Sequence, residues 1–367
     1  MNAALARWRC RLLSEAEVPE PDIRRVLIYR LGSLGDTVVA LPCLHLIARR
    51  FPNAERVMLT NFPIHSKAPA AAAVLGESGL VQRYMRYTVG TRSVRELLQV
   101  AREIRQFAPE VVIYLMPIRP CKSALRDWVF LRLAGARRIV GLPESRTQKR
   151  RFDATSGLYE AEAARLARTI RELGEAGADK LANWDLRLTQ SERQAATAAL
   201  GDLAGRPLIV CGPGTKMQAK DWGKQNWREL LGRLHTRYPQ HGLALIGARE
   251  DQEASHFAAE LWSGAKQNLC GLLTPRQTAA VIAGAQVFLG PDSGPMHLAA
   301  SVGVHCVIAF SAHGLPGVWY PAGESHQIVY HRTECHGCGL ETCIKRERLC
   351  MRSISVDEME QAAVRIL

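Results

Sequence analysis

The chain has no long hydrophobic run and few aromatic residues. Of its 367 residues, 47% are hydrophobic but only 6% are aromatic. Its apolar runs have the length of single strands, far below the roughly 20 residues that a membrane-spanning helix needs. Residues 1–13 carry arginines but no apolar core followed by a cleavage site, so they do not resemble a signal peptide. These absences predict a soluble, cytoplasmic protein.

Two common nucleotide-binding signatures are missing as well. Residues 30–36 read Arg-Leu-Gly-Ser-Leu-Gly-Asp rather than Gly-x-Gly-x-x-Gly, and neither Gly-Lys-Ser nor Gly-Lys-Thr occurs in the chain. The dinucleotide fingerprint and the Walker loop therefore do not fit. This argues against a nicotinamide-dependent oxidoreductase.

The ten cysteines do not predict a disulfide framework, because the chain shows no secretion signal. Six are scattered in apolar settings, Cys43 and Cys211 among them, and are predicted to be buried thiols. The other four follow the pattern Cys-x₂-Cys-x₄-Cys-x₆-Cys at Cys335, Cys338, Cys343 and Cys350. They have the ligand type and number of a structural zinc or iron site, and clustered reduced thiols or a conditional disulfide are the alternatives.

The first half of the chain lacks enough acidic residues to balance its cations. Residues 1–151 hold 26 lysines and arginines against 12 aspartates and glutamates, whereas residues 152–367 hold 22 against 23. The formal net charge of +13 thus belongs to the first half, which predicts an anionic partner there. A phosphorylated acceptor, an acidic membrane face and nucleic acid are candidates, and an ordinary solvated basic surface is the alternative.

Hydrophobic runs and helical periodicity alternate along the chain in two series. Strands are predicted at residues 24–29, 56–60, 110–115, 138–141, 207–212, 242–247, 285–289 and 305–310. Helices are predicted at residues 37–50, 94–107, 160–173, 226–238, 251–262 and 274–284. Such alternation predicts an α/β protein with two doubly wound parallel sheets and a site at the carboxyl ends of their strands.

Residues 150–191 differ in composition from the segments on either side, and this predicts the domain junction there. We predict a first domain at residues 1–185, a second at residues 186–354, and a C-terminal helix at residues 355–367. The last segment opens with Ser-Val-Asp-Glu, which is a capping box.

The most informative motif is Gly-Pro-Asp-Ser-Gly-Pro-Met-His at residues 290–297, between two apolar runs. Asp292 or Ser293 can cap a helix, Gly294 admits a ligand close to the backbone, and the following proline suits the first helical turn. Free N–H groups and the helix dipole favour an anion there, such as a pyrophosphate.

Three other stretches of the chain contain candidate functional residues. Asp36, at a predicted helix start, is either a capping carboxylate or a general base. Thr215, Lys216 and Lys220 follow the strand at residues 207–212, where lysines can neutralise a diphosphate leaving group or form a solvated loop. Glu250 or Asp251, after the next strand, can contact ribose hydroxyls, and the alternative is that Asp251 or a neighbour caps the following helix.

Residues 30–42, 220–227 and 291–299 together resemble the family 9 glycosyltransferases, which are the ADP-heptose:lipopolysaccharide heptosyltransferases and their relatives. The resemblance spans residues 24–365, in matching order and spacing. It implies a GT-B fold with two Rossmann-like domains facing a cleft, and inverting transfer from a nucleotide sugar that needs no metal or other cofactor.

The resemblance also assigns roles to residues. It implies that Asp36 is the catalytic base and that Lys220 stabilises the leaving group. The residues implied to bind the donor are Thr215, Lys216, Glu250, Asp292, Ser293, Gly294 and His297. The residues predicted to bind the acceptor or its anionic groups are Gly35, Arg119, Lys122 and Arg126.

We therefore expect a cytoplasmic enzyme at the inner face of the membrane, which transfers heptose from ADP-heptose to a lipopolysaccharide core or a related anionic lipid-linked acceptor. The loops at residues 61–67 and 118–126 match no single subgroup, so another nucleotide sugar, or a protein or O-antigen acceptor, is the main alternative. A nucleic-acid-binding protein with a zinc knuckle is a second alternative. The chain lacks the interleaved aromatic and basic residues typical of that class, so we expect no nucleic-acid partner.

Overall fold

The structure, a computed structural model, describes residues 20, 22–62, 70–142, 149–344 and 346–367. The segment at residues 1–13 and most of the predicted acceptor loop at residues 61–67 lie outside these ranges. Within them, no helix has the length and apolar character needed to cross a membrane.

The first half of the chain forms a five-stranded parallel sheet in the order β3-β2-β1-β4-β5. Its strands are β1 Arg25–Tyr29, β2 Glu55–Thr60, β3 Arg83–Arg86, β4 Val111–Tyr114 and β5 Arg138–Val140. The central strand β1 pairs with β2 through Val26 and Arg56, and with β4 through Val26 and Val111. Because helices cover both faces, β1 is a continuous apolar run rather than an alternating one.

Helices of the first half flank this sheet. They are α1 Leu34–Val38, α2 Leu41–Arg50, α3 Ala71–Leu75, α4 Val94–Phe107, α5 Cys121–Leu133 and α6 Glu162–Thr169. The sequence predicted one helix over residues 37–50, but the structure has two. Pro42 lies in the first turn of α2 and has no N–H to continue the ladder from α1, so the helix is interrupted there. A short hairpin, β6 Phe152–Asp153 with β7 Leu158–Tyr159, follows the sheet.

The second half forms a six-stranded parallel sheet in the order β10-β9-β8-β11-β12-β13. Its strands are β8 Leu208–Cys211, β9 Gly242–Leu245, β10 Lys266–Asn268, β11 Val287–Pro291, β12 His305–Phe310 and β13 Gln327–Tyr330. Its helices are α7 Gln190–Leu200, α8 Lys224–Arg237, α9 Gln252–Ala258, α10 Pro275–Ile282, α11 Gly294–Ser301, α12 Leu349–Arg352 and α13 Val356–Val364. The two parallel sheets confirm the doubly wound α/β prediction.

Three of the contacts between the described residues of the two halves position the cleft. The start of α1 packs against the start of α11, where Leu34 meets Gly294. The hairpin and α6 bond to the second half, with Tyr159 N–H donating to Pro316 O at 2.9 Å. Arg276 of α10 is 3% exposed and donates to carbonyl oxygens of α3, Leu75 O among them at 2.9 Å. The boundaries at residues 185 and 354 stay predictions.

Candidate active site

A cleft of about 800 Å³ opens between the carboxyl ends of the two sheets, and residues of both halves line it. Nine of the residues singled out from the sequence lie in its wall: Gly35, Asp36, Thr215, Lys216, Lys220, Asp292, Ser293, Gly294 and His297. These residues are up to 262 positions apart in the chain, from Gly35 to His297. The fold therefore gathers the separate motifs into one site.

Asp36 lies at the third position of α1, after the N-cap residue Ser33. Its Oδ2 accepts hydrogen bonds from Ser33 N–H at 2.9 Å and from Ser33 Oγ at 3.3 Å. Its Oδ1 lies 3.8 Å from Arg30 Nη2, and the side chain is 28% exposed on the cleft wall. Asp36 thus caps its helix through one oxygen and keeps the other available at the cleft.

Arg30 fixes the position of Asp36, a role that its place in the motif at residues 30–42 did not indicate. Its guanidinium is 1% exposed and donates to Asp36 O at 2.6 Å and to Leu115 O at 2.9 Å. It thereby joins the ends of β1 and β4 directly under α1. Gly32 completes this turn at a φ of +151°, where an added Cβ would overlap the Asp36 side chain.

Two glycines let the helices of the two halves approach closely. A Cβ on Gly35 would lie 3.0 Å from His297 Cδ2, and a Cβ on Gly294 would lie 2.9 Å from Leu34 Cδ2. Side chains at these positions would push α1 and α11 apart. The amino ends of both helices can therefore face the same part of the cleft.

Lys220 and Asp292 form an ion pair in the wall of the second half. Lys220 Nζ lies 3.0 Å from Asp292 Oδ2, and Ser311 Oγ donates to the same oxygen at 3.2 Å. Ser293 is the N-cap residue of α11, and its buried Oγ has no hydrogen-bond partner among the described residues. A buried hydroxyl at a helix start can donate a hydrogen bond to an anionic ligand.

His297, one turn into α11, is held neutral. It is 5% exposed, and burial lowers its pKa to about 4 against the opposing charge of Asp292. A neutral imidazole there adds no positive charge to the cleft at neutral pH. The cations that line the cleft are lysines and Arg249, and His313 has its pKa lowered by burial and by Lys220.

The loops after β8 and β9 meet at Asp251 rather than at Glu250. Asp251 is 7% exposed, lines the cleft, and accepts a hydrogen bond from Ala248 N–H at 2.9 Å. A Cβ on Gly214 would overlap its carboxyl group, so this glycine permits the close approach. Glu250 is exposed and outside the residues that line the cleft. Its ribose-binding role stays a prediction.

The segment at residues 331–348, here called the thiol loop, forms a wall of the cleft that sequence reasoning missed. Gly337 and Gly339 line the cleft. Cys343 N–H donates to Gln218 Oε1 at 2.9 Å, and Arg348 donates to Asp221 Oδ2 at 2.7 Å. The thiol loop thus holds the turn that carries Lys220.

The four predicted metal ligands do not form a ligand set as placed. Cys350 is buried and Cys338 is exposed. Burial raises the pKa of the Cys350 thiol, and the neighbouring Cys335, Cys338 and Cys343 raise it further. However, Cys343 Sγ accepts from Arg348 N–H at 3.3 Å. Across the described ranges, no group of three or more His, Cys, Asp or Glu side chains is arranged to hold a metal ion.

Three predicted acceptor residues lie outside the cleft wall, with Arg119 just before α5 and Lys122 and Arg126 within it. Arg119 donates to the buried carboxylate of Asp127 at 2.6 Å, and Arg126 donates to its other oxygen at 3.2 Å. Lys122 is exposed and lines a shallow groove on the outer side of α5. Their role in binding an acceptor stays a prediction.

Comparisons with known proteins agree with this geometry. The sequence profile of glycosyltransferase family 9 (heptosyltransferase) matches residues 132–348. Lipopolysaccharide heptosyltransferase 1 of Pseudomonas aeruginosa is 26% identical over 340 residues, which is 87% of each chain.

Solved structures show the same architecture. A family 9 glycosyltransferase of Veillonella parvula has a TM-score of 0.70 at 17% identity, over 96% of this chain and 99% of that one. An E. coli heptosyltransferase solved with ADP has a TM-score of 0.63 at 17% identity, over 94% of this chain and all of that one. These likenesses confirm the expected GT-B fold. Because the family profile matches more than half of the chain, the protein belongs to glycosyltransferase family 9, the heptosyltransferase family, and is a glycosyltransferase.

Proposed function

We propose that this enzyme transfers heptose from ADP-heptose to a lipopolysaccharide core or a related anionic lipid-linked acceptor, on the cytoplasmic side of the membrane. The observation that carries the proposal is the meeting of Asp36 on α1 with Ser293 and His297 on α11 across one cleft. The relative from Pseudomonas aeruginosa is named a lipopolysaccharide heptosyltransferase, and an E. coli neighbour was solved with ADP, which supports this donor and acceptor class.

In the proposed reaction, Asp36 acts as the general base. Its carboxylate takes the proton of an acceptor hydroxyl while that oxygen bonds to the anomeric carbon of the sugar. The bond between the anomeric carbon and the diphosphate oxygen breaks as the new bond forms, so the anomeric configuration inverts. Asp36 suits this role because Ser33 and Arg30 fix it while it reaches the cleft.

The departing ADP carries the negative charge that develops in the transition state. Lys220, Lys216 and the free N–H groups at the start of α11 face the place where this charge would lie. Asp292 forms an ion pair with Lys220 and so fixes the Lys220 ammonium group at the cleft wall. Preorganised donors of this kind are worth about 3 kcal/mol of barrier lowering each.

The basic first half supports an anionic acceptor. Lys122 and Arg126 lie on α5, whose amino end follows the carboxyl end of β4. Because β1 and β4 are parallel neighbours, this is the sheet edge that also carries Asp36. A phosphorylated, membrane-held acceptor would thus meet cations before its hydroxyl reaches Asp36.

The direct test is incubation of the purified chain with ADP-heptose and a panel of other nucleotide sugars, with ADP release followed in the presence of candidate acceptors. We expect acceptor-dependent release from ADP-heptose and a heptosylated lipopolysaccharide core by mass spectrometry. Faster turnover of another nucleotide sugar, or transfer to a protein or O-antigen acceptor, would contradict the proposal.

A structural zinc or iron ion at the thiol loop is supported by the cysteine spacing alone. Elemental analysis of the purified chain tests it directly. One equivalent of metal that is lost when Cys335 and Cys338 are both replaced by serine would support the site. A metal-free, fully active chain would contradict it.

A further inference from the structure

Helix α5 presents an outward face with large apolar side chains exposed. Leu125 is 61% exposed, Val129 is 42% exposed and Leu133 is 70% exposed. Their spacing of four residues places them along one side of the helix. The opposite side packs on the sheet, with Ala124 and Leu131 buried. The outward face is therefore apolar, yet its side chains are not buried by the described residues of the chain.

Cations share this outward face. Lys122 and Arg126 line the same shallow groove as the exposed leucines. The one carboxylate of the helix, Asp127, is 5% exposed and points inward, where it accepts hydrogen bonds from Tyr114 Oη at 2.9 Å and from Arg119 at 2.6 Å. Arg126 also donates to Asp127 Oδ1 at 3.2 Å but stays 68% exposed, and no acidic side chain of α5 lies on the outer face beside Lys122.

Leucines beside lysine and arginine on one helix face are typical of helices that lie in the interface of an anionic bilayer. The apolar side chains enter the acyl boundary while the cations meet the headgroups. We propose that the outer face of α5 docks onto an anionic lipid surface. Since α5 begins at the sheet edge that carries Asp36, docking brings the cleft toward the membrane. The proposal deepens the proposed function, on which it rests for the nature of the acceptor.

The test is co-sedimentation of the purified full chain with vesicles, without any sugar donor. Vesicles of phosphatidylglycerol with phosphatidylcholine should bind the wild-type chain, and pure phosphatidylcholine should bind it much less. Lys122→Gln with Arg126→Gln should weaken binding about 25-fold, because each cation near the surface strengthens binding about five-fold. Leu125→Ser with Leu133→Ser should weaken it at least about ten-fold.

Matched controls come from the second half of the chain. Leu261→Ser replaces a leucine that is 47% exposed, and Arg237→Gln removes an exposed cation at the end of α8. Neither should change vesicle binding. The paired leucine variant should keep the wild-type thermal midpoint and affinity for ADP, because its side chains lie outside the cleft wall.

Trp128 supplies a second readout, since it is 39% exposed on the same helix. Its fluorescence should be quenched by brominated lipids, and Trp128→Phe should remove that quenching. Unchanged binding of the α5 variants, or loss of a wild-type dimer in them on analytical ultracentrifugation, would overturn the proposal. Because the assay contains no donor, its failure is distinct from failure of heptose transfer.

Discussion

Burial keeps His297 neutral, and this links the donor site to the stability of the chain. The unfolded histidine has a pKa near 6.5, whereas desolvation lowers its pKa in the folded chain to about 4. Between these values the unfolded chain binds a proton that the folded chain does not. The free energy of unfolding therefore falls as the pH drops from 6.5 toward 4.

Replacing His297 by asparagine removes this proton linkage. Wild type should lose about 2 kcal/mol more unfolding free energy than His297→Asn between pH 7 and pH 5. Urea denaturation at both pH values measures the difference. His256→Asn, on an exposed position of α9, is the control and should keep the wild-type loss. Equal losses in wild type and His297→Asn would contradict the burial argument.

The residues of the site differ in whether the neighbouring sequence is enough to identify them. Asp36 and Ser293 were predictable because each starts a helix after a buried strand, and that pattern is contained within a dozen residues. Arg30 was not predictable, since its partner Leu115 lies 85 positions away. Asp251 was predicted either to contact ribose hydroxyls or to cap a helix, and its place in the cleft depends on how closely Gly214 approaches it.

Among the elements, the thiol loop contacts the turn that carries Lys220 into the cleft wall. It reaches the turn at Gln218–Lys220 through Cys343, and it reaches Asp221 through Arg348. We therefore expect it to position the Lys220 ammonium for the donor phosphates, whether or not it holds a metal.

Arg348→Gln tests this positioning role. Its bonds to Asp221 are partly exposed, so their contribution is small. We expect the free energy of ADP binding to weaken by about 1 kcal/mol, which is about a five-fold loss of affinity. Isothermal titration with ADP measures it, and the KM for the donor should rise more than kcat falls. Arg352→Gln, which removes a 61% exposed arginine, should leave ADP affinity unchanged. Equal affinities in wild type and Arg348→Gln would show that the loop does not position the site.

Long, periodic elements were predicted well, whereas of the four edge strands of the two parallel sheets only β5 was predicted. The helix at Val94–Phe107 has the predicted bounds, and the helix predicted from residue 274 begins there, with Thr274 Oγ1 accepting from Gln277 N–H at 3.2 Å. By contrast, β3 and β13 carry no clear alternation, because each lies at a sheet edge and is only partly buried. Tertiary pairing rather than local preference sets such strands.

Across the whole molecule, Arg276 joins the two halves. Its guanidinium donates to Leu75 O and Leu186 O, each at 2.9 Å, and pairs with the Glu192 carboxylate. Gly76 leaves room for it at a φ of +44°. One buried side chain thus contacts α3, the segment at residues 186–187 that precedes α7, and α7 itself.

Removing this cation should destabilise the contact between the halves. Arg276→Met leaves Glu192 and several buried carbonyls without their donor, so we expect a loss of about 3 kcal/mol and a thermal midpoint lower by several degrees. The double variant with Glu192→Met should recover part of the loss. Differential scanning calorimetry measures both, with Arg206→Gln on the surface as the control. An unchanged thermal midpoint in Arg276→Met would contradict the role of Arg276 in joining the two halves.

The central claim is that Asp36 takes the acceptor proton in a cleft whose other wall holds the donor. Asp36→Asn tests it most directly, because asparagine keeps the oxygen that accepts from Ser33 N–H and so preserves the start of α1. The measurement is kcat at saturating donor and acceptor, alongside the Kd for ADP. We predict a kcat at least about 100-fold below wild type, with the Kd for ADP unchanged within about two-fold. A kcat close to the wild-type value would contradict the account.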